Sequence, residues 1–233
     1  MPEPRENLIE DFAFDYIKSY YATRTGSEKI LADKAERTKQ GHLADGLFAL
    51  QNPDKSIFIA SLSTKNSPNI ARLLTTYKTK GLGKMRFASA ALLFVAALYI
   101  AIKVAGLSYL YALPAAAAVA AAGFVLHSML EKNRLQRKLE HLLNDLKKAP
   151  ADQQWLGISI SSLAFRQNEL AKHLLSVCHR RGIGVITVGK RAKVVQLQEP
   201  VTQICRRGDF LSLYEAEVRI RKILLGDSYL RVA

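Results

Sequence analysis

Basic residues cluster late in this chain, as Arg180-Arg181, Lys190-Arg191 with Lys193, and Arg206-Arg207, around its last two strand-like stretches. Three readings of such clusters compete: a phosphate backbone, anionic lipid at a membrane surface, or a plain solvated face. Ser61, Ser63 and Lys65 recur every second residue, so on a strand they share one face. No His-Asp pair stands near the serines, and they compose no hydrolase triad. His173, Cys178 and His179 have the wrong spacing for zinc. Gly182-x-Gly184 falls inside a strand-like run and is no phosphate loop. His42 reads as structural.

The chain has 233 residues, 49% of them hydrophobic, and carries 34 Lys and Arg against 20 Asp and Glu, for a net charge of +14. That apolar fraction excludes a disordered chain, which buries too little surface to offset ordering entropy. Cys178 and Cys205 are the only cysteines, which excludes a disulfide-dense module and a zinc ribbon. Residues 1–15 are acidic and lack an apolar core, so no cleaved secretory peptide is expected. Charge is segregated: residues 64–108 contain seven bases and no acid.

That basic stretch runs into the strongest signal in the sequence. Residues 87–102 carry no charge, Lys103 interrupts, and 104–107 continue. Residues 109–130 form a second apolar run, broken by Pro114, His127 and Ser128. A bilayer core requires about 20 apolar residues. Both runs reach that length when Lys103 snorkels toward the head groups. Arg72, Lys78, Lys80, Lys84 and Arg86 precede the first span, and Lys132, Arg134, Arg137 and Lys138 follow the second. The positive-inside rule then sets both flanks in the cytoplasm and the turn near Leu107 outside, as expected of a two-span protein of a bacterial inner membrane with cytoplasmic termini. Ala97, Ala101 and Ala105, and Ala118 with Ala122, are spaced for close helix approach, either within the hairpin or between subunits of a homo-oligomer. Leu135, Leu139, Leu142 and Leu146 extend the second helix into an amphipathic stalk that packs on the soluble domain or on a neighbouring subunit.

The rest divides around the hairpin. Upstream, residues 7–21 read as a helix, and Ser27 caps a second one reaching about Gln40. Strands follow at 43–50 and 56–63, joined by the Asn52-Pro53-Asp54 turn, then a helix at 69–77. Downstream come a strand at 155–161, a helix at 168–180, strands at 182–188 and 193–197, and a terminal helix at 215–225. Neither half holds enough strands alone. The expected organisation is a domain half at 1–80, the hairpin at 85–130, the stalk at 131–149 and the second half at 150–233, with both halves folding into one α/β sheet flanked by helices.

Glu36, then Leu43-Ala44-Asp45-Gly46-Leu47, then Ile57-Phe58-Ile59-Ala60-Ser61-Leu62-Ser63-Thr64-Lys65 resembles the front half of the restriction-endonuclease-like PD-(D/E)XK fold. Trp155-Leu156-Gly157-Ile158-Ser159-Ile160, Arg181-Gly182-Ile183-Gly184-Val185-Ile186-Thr187-Val188 and Lys193-Val194-Val195-Gln196-Leu197 resemble its back half. The resemblance implies a divalent cation such as magnesium held by carboxylates on two neighbouring strands, with a lysine two residues on that activates water. Asp45 matches the first carboxylate, unless it is only a turn residue before Gly46, and Glu36 matches an accessory acid on the preceding helix. Where the family carries Glu-x-Lys, this chain has Ser61-Leu62-Ser63, with Lys65 as a displaced lysine. The remnant candidates are thus Glu36, Asp45, Ser61, Ser63 and Lys65, with Asp45 as the metal ligand if there is one. The expectation is a catalytically degenerate, membrane-anchored pseudoenzyme without a cofactor, in genome defence or DNA handling by analogy. Its partners would be membrane lipid, nucleic acid or a cytoplasmic protein, and itself as a homo-oligomer. In such a fold the basic clusters would track a phosphate backbone with steep salt dependence. The alternatives are an active magnesium-dependent nuclease and an oligomeric membrane-perturbing effector.

Overall fold

Helix α1, Pro4–Thr25, opens the chain and leads into a three-strand antiparallel meander: β1, Ile30–Arg37; β2, Leu43–Gln51; β3, Ile57–Ser63. Helix α2, Ser67–Lys80, follows, then α3, Met85–Tyr99, with a π turn at Ile100–Val104, and α4, Tyr109–Asn144, ending in a 3-10 turn at Asp145–Lys148. Strand β4, Gln153–Ile158, returns parallel to β3. Helix α5, Glu169–Arg180, crosses to β5, Ile183–Val188, parallel to β4, and β6, Val194–Gln198, closes antiparallel before helix α6, Glu217–Leu225. The computed structural model describes residues 4–25, 30–52, 54, 56–189, 192–205 and 208–226. Among them the six strands form one mixed sheet in sequence order.

Alternation along the strands divides the core. Phe48, Leu50, Leu62, Trp155 and Ile186 pack with Ala13, Phe14, Ile17 and Tyr21 of α1. Leu47, Ala49, Ile57 and Ile59 pack with Leu211, Tyr214 and Ile220, the last on α6. This is the two-sided burial that period two demands, and each fully buried Phe, Leu or Ile contributes roughly 1.5–3 kcal/mol. Helix α5 carries the stripe Leu170, Ala171, Leu174, Val177 and Cys178. Its N-cap, Asn168, accepts from the Ala171 amide at 3.2 Å and donates to the Leu74 carbonyl at 3.0 Å, tying the middle of α2 to the start of α5.

One expected element is of the wrong kind. The helix from Ser27 toward Gln40 is instead β1, preceded by residues outside the described set. Helix formers fill LADKAER, but β2 offers a free edge, and pairing from Ile30–Leu50 to Arg37–Leu43 outweighs local propensity. Ala35, at φ 59°, is left-handed and interrupts the strand. In a regular strand residues 33 and 36 face opposite ways. Here Asp33 and Glu36 both reach Arg219 of α6. The expected turn at Asn52-Pro53-Asp54 includes Pro53, which lies outside the described residues.

The chain forms two compact units: residues 1–75 with 139–233, and residues 76–138. In the second unit, Met85–Val104 and the helix from Tyr109 are long and apolar enough to cross a membrane. At Gly123 a Cβ would run into Leu93 Cδ1, so the two helices approach closely there. Phe87 and Phe124 pack with ring centroids 5.3 Å apart, with the Arg86 guanidinium over both. Ala112 and Ala116 are the buried alanines of the hairpin, whereas Ala118 and Ala122 are exposed. The stalk leucines from residue 139 onward belong to the first unit. Leu139, Leu143 and Leu146 are buried there, with Leu142 half-buried. The Asn66 amide holds this end of α4 through the Leu142 carbonyl and Asp145, each at 2.9 Å.

Candidate functional site

Asp45 lies within strand β2 rather than in a turn. Gly46 pairs with Leu62, so the antiparallel register sets Asp45 opposite Ser63. Its Oδ2 accepts from the Thr64 amide at 2.6 Å, the Lys65 amide at 2.9 Å and the Thr64 hydroxyl at 3.2 Å. These bonds cap the turn by which β3 enters α2. The Thr64 hydroxyl also stands 3.2 Å from Glu10 Oε1 of α1. A hydroxyl carries one proton, so Glu10 and Asp45 compete for it.

Glu10 is the acid that sequence reading missed. Glu36 suits the accessory acid of the resemblance only when residues 27–40 form a helix. Glu36 is on β1 and spends its charge on Arg219, while the helix that meets Asp45 is α1. The signal available was the strand character of 30–37, which moves the preceding helix upstream to Glu10. Ser61 is buried, and its hydroxyl donates to the Ala149 carbonyl at 3.2 Å, so it serves packing. Ser63 is half-buried and Lys65 is exposed.

The corner does not fit a magnesium site. One carboxylate oxygen of Asp45 already serves two backbone amides, position 61, where the second carboxylate is expected, holds a buried serine whose hydroxyl bonds the Ala149 carbonyl, and a serine cannot balance a divalent charge. Among the described residues, no group of three His, Cys, Asp or Glu side chains is placed to hold a metal.

The basic residues fall into separate groups. Arg180 ends α5, Arg181 is its C-cap, and both stand at the start of β5. Lys193 lies beyond the other end of β5, where its carbonyl accepts from Gly189. A six-residue strand separates them by roughly 20 Å. Lys190, Arg191, Arg206 and Arg207 lie outside the described residues. Arg180 and Arg181 line a cavity of about 560 Å³ together with Lys147, which no sequence spacing had joined to them.

Two buried polar features serve the fold. The Trp155 indole donates to the Tyr21 hydroxyl at 2.9 Å, and that hydroxyl donates to Gln153 Oε1 at 2.5 Å. Burial pushes the Tyr21 phenol far up, so it stays protonated as this chain of bonds requires. Asp152 accepts from the Ile59 amide at 2.7 Å, and burial raises its carboxyl above the ordinary value. No protein-family model, curated protein or solved structure matches this chain.

Proposed function

We propose that this chain is a membrane-anchored, nuclease-like protein of PD-(D/E)XK type that lacks cleavage chemistry and binds nucleic acid at the cytoplasmic face of a bacterial inner membrane, in a role of the genome-defence class. The observation that carries this reading is Asp45. It matches the first carboxylate of the resemblance, while the match to the second, on β3, is Ser61, whose hydroxyl bonds the Ala149 carbonyl, and the Asp45 Oδ2 caps the Thr64 and Lys65 amides. Two helices of membrane-crossing length support the anchor. The net charge of +14 and the exposed Arg180 and Lys193 support a polyanionic partner. Self-association through the exposed Ala118 and Ala122 completes the reading.

The test is binding of labelled duplex and single-stranded DNA and RNA to the full chain in zwitterionic nanodiscs. Affinity is expected to fall at least about tenfold between roughly 50 and 200 mM salt, with the salt slope shrinking by about one for each base removed by Arg180→Gln and Lys193→Gln. No binding to any of the three at low salt would contradict the proposal and leave lipid or protein as the partner of the basic residues.

A further inference from the structure

Three cations, Lys147, Arg180 and Arg181, converge on one cavity of about 560 Å³, and no carboxylate is among the residues that line it. Pro150 and Val201 supply apolar wall. The volume lies in the range of small-molecule sites. Lys147 comes from the last turn after α4, the arginines from the end of α5, and all belong to the same compact unit.

Arg181 makes the arrangement informative. Its Nη1 is buried without a hydrogen-bond partner among the described residues. A buried guanidinium nitrogen left unpaired is costly, and an anion is what relieves that cost. The buried Cys178 thiol near Arg181 does not serve: burial pushes it up to about 12, so it carries no negative charge at neutral pH. Neither Lys147 nor either arginine enters an ion pair among the described residues. Other cations of the same unit illustrate the contrast. Lys148 pairs with Asp145 at 2.7 Å, and Arg221 pairs with Asp209 at 2.7 Å.

We infer that this cavity binds a phosphate monoester, with Arg181 and Arg180 as its principal donors and Lys147 adding a point charge. A dianionic phosphate supplies enough acceptor oxygens for all three side chains, and the apolar wall accommodates the group it is attached to. The phosphate belongs either to a small soluble molecule or to a lipid head group. The inference does not depend on the nucleic-acid reading, which needs only an exposed track of charge.

The experiment is titration calorimetry of the full chain in phosphatidylcholine nanodiscs with glycerol 3-phosphate and with AMP. A competition arm uses phosphatidylcholine vesicles containing phosphatidic acid or, at equal charge, phosphatidylserine. Saturable binding of one ligand per chain is expected. Arg181→Gln and Arg180→Gln should each weaken it roughly ten- to a hundredfold, as loss of a charge-assisted hydrogen bond does, and Lys193→Gln should leave it unchanged. Phosphatidic acid that competes or binds in the same arginine-dependent way, while phosphatidylserine does not, identifies the lipid as the source. If Arg181→Gln loses its near-ultraviolet circular dichroism, Arg180→Gln and Lys147→Gln carry the test. Binding by none of glycerol 3-phosphate, AMP and phosphatidic acid, or binding indifferent to the arginine variants, overturns the inference. Duplex binding that survives in that case would uphold the nucleic-acid reading alone.

Discussion

Asp45 illustrates how much a single residue discloses before its neighbours are known. Its place on β2 was legible from the strand pattern around it. Its work was not, because the Thr64 and Lys65 amides that occupy its Oδ2 come from the end of another strand. Glu10 was hidden for the same reason: nothing in its own segment marks it, and only the packing of α1 brings it to Thr64. Ser61 shared a face with Ser63 by alternation, yet its hydroxyl answers to Ala149, on a segment that period two cannot see. The capping role makes a prediction. Asp45→Ala removes the acceptor and leaves the Thr64 amide unpaired beside a side chain that is 4% exposed, at a cost of about 1–3 kcal/mol. Asp45→Asn keeps an acceptor oxygen and should lose clearly less. Thermal or denaturant unfolding of the two variants checks the order, and an alanine variant as stable as the parent would contradict the cap.

Among the elements, long and strongly patterned segments were legible. Helix α5 was expected from its apolar stripe, and residues 169–180 carry it with Asn168 as the cap. The second apolar run and its stalk were expected as one helix over 109–148, and α4 with its 3-10 turn covers those residues. Strand β1 was not legible, because seven of its pairings are to β2 and none is local. Its left-handed Ala35 is a tertiary feature that brings Asp33 and Glu36 to one arginine. The alanine spacing pointed to close approach of helices, but which alanines are buried depended on the rotation of each helix. Ala112 and Ala116 are covered, not Ala118 and Ala122. The hairpin carries its own prediction from the bases at 72–86 and the short turn at Leu107. Single cysteines at exposed Ser56 and Ser108 in a background lacking Cys178 and Cys205 should label from opposite sides of the membrane. Labelling of both by an impermeant reagent from one side would end the two-span reading.

For the whole molecule, the sequence foresaw that halves on either side of the apolar block complete one sheet, and β3 pairing with β4 across that insertion bears it out. The reason was arithmetic of strands: neither half could cover its own apolar faces. The distribution of charge was harder to read. Arg180-Arg181 and Lys193, near each other along the chain, stand at opposite ends of β5, while Lys147 joins Arg180 and Arg181 from far upstream. In the proposed nuclease-like reading Asp45 matches the first carboxylate and Ser61 stands where the second is expected. The most direct test of that reading is cleavage of duplex DNA, single-stranded DNA and RNA by the full chain with magnesium or manganese, with Asp45→Asn as the control that preserves the cap. No metal-dependent cleavage is expected from either protein. Metal-dependent cleavage by the parent that is lost in Asp45→Asn would contradict the reading and make the protein a working nuclease.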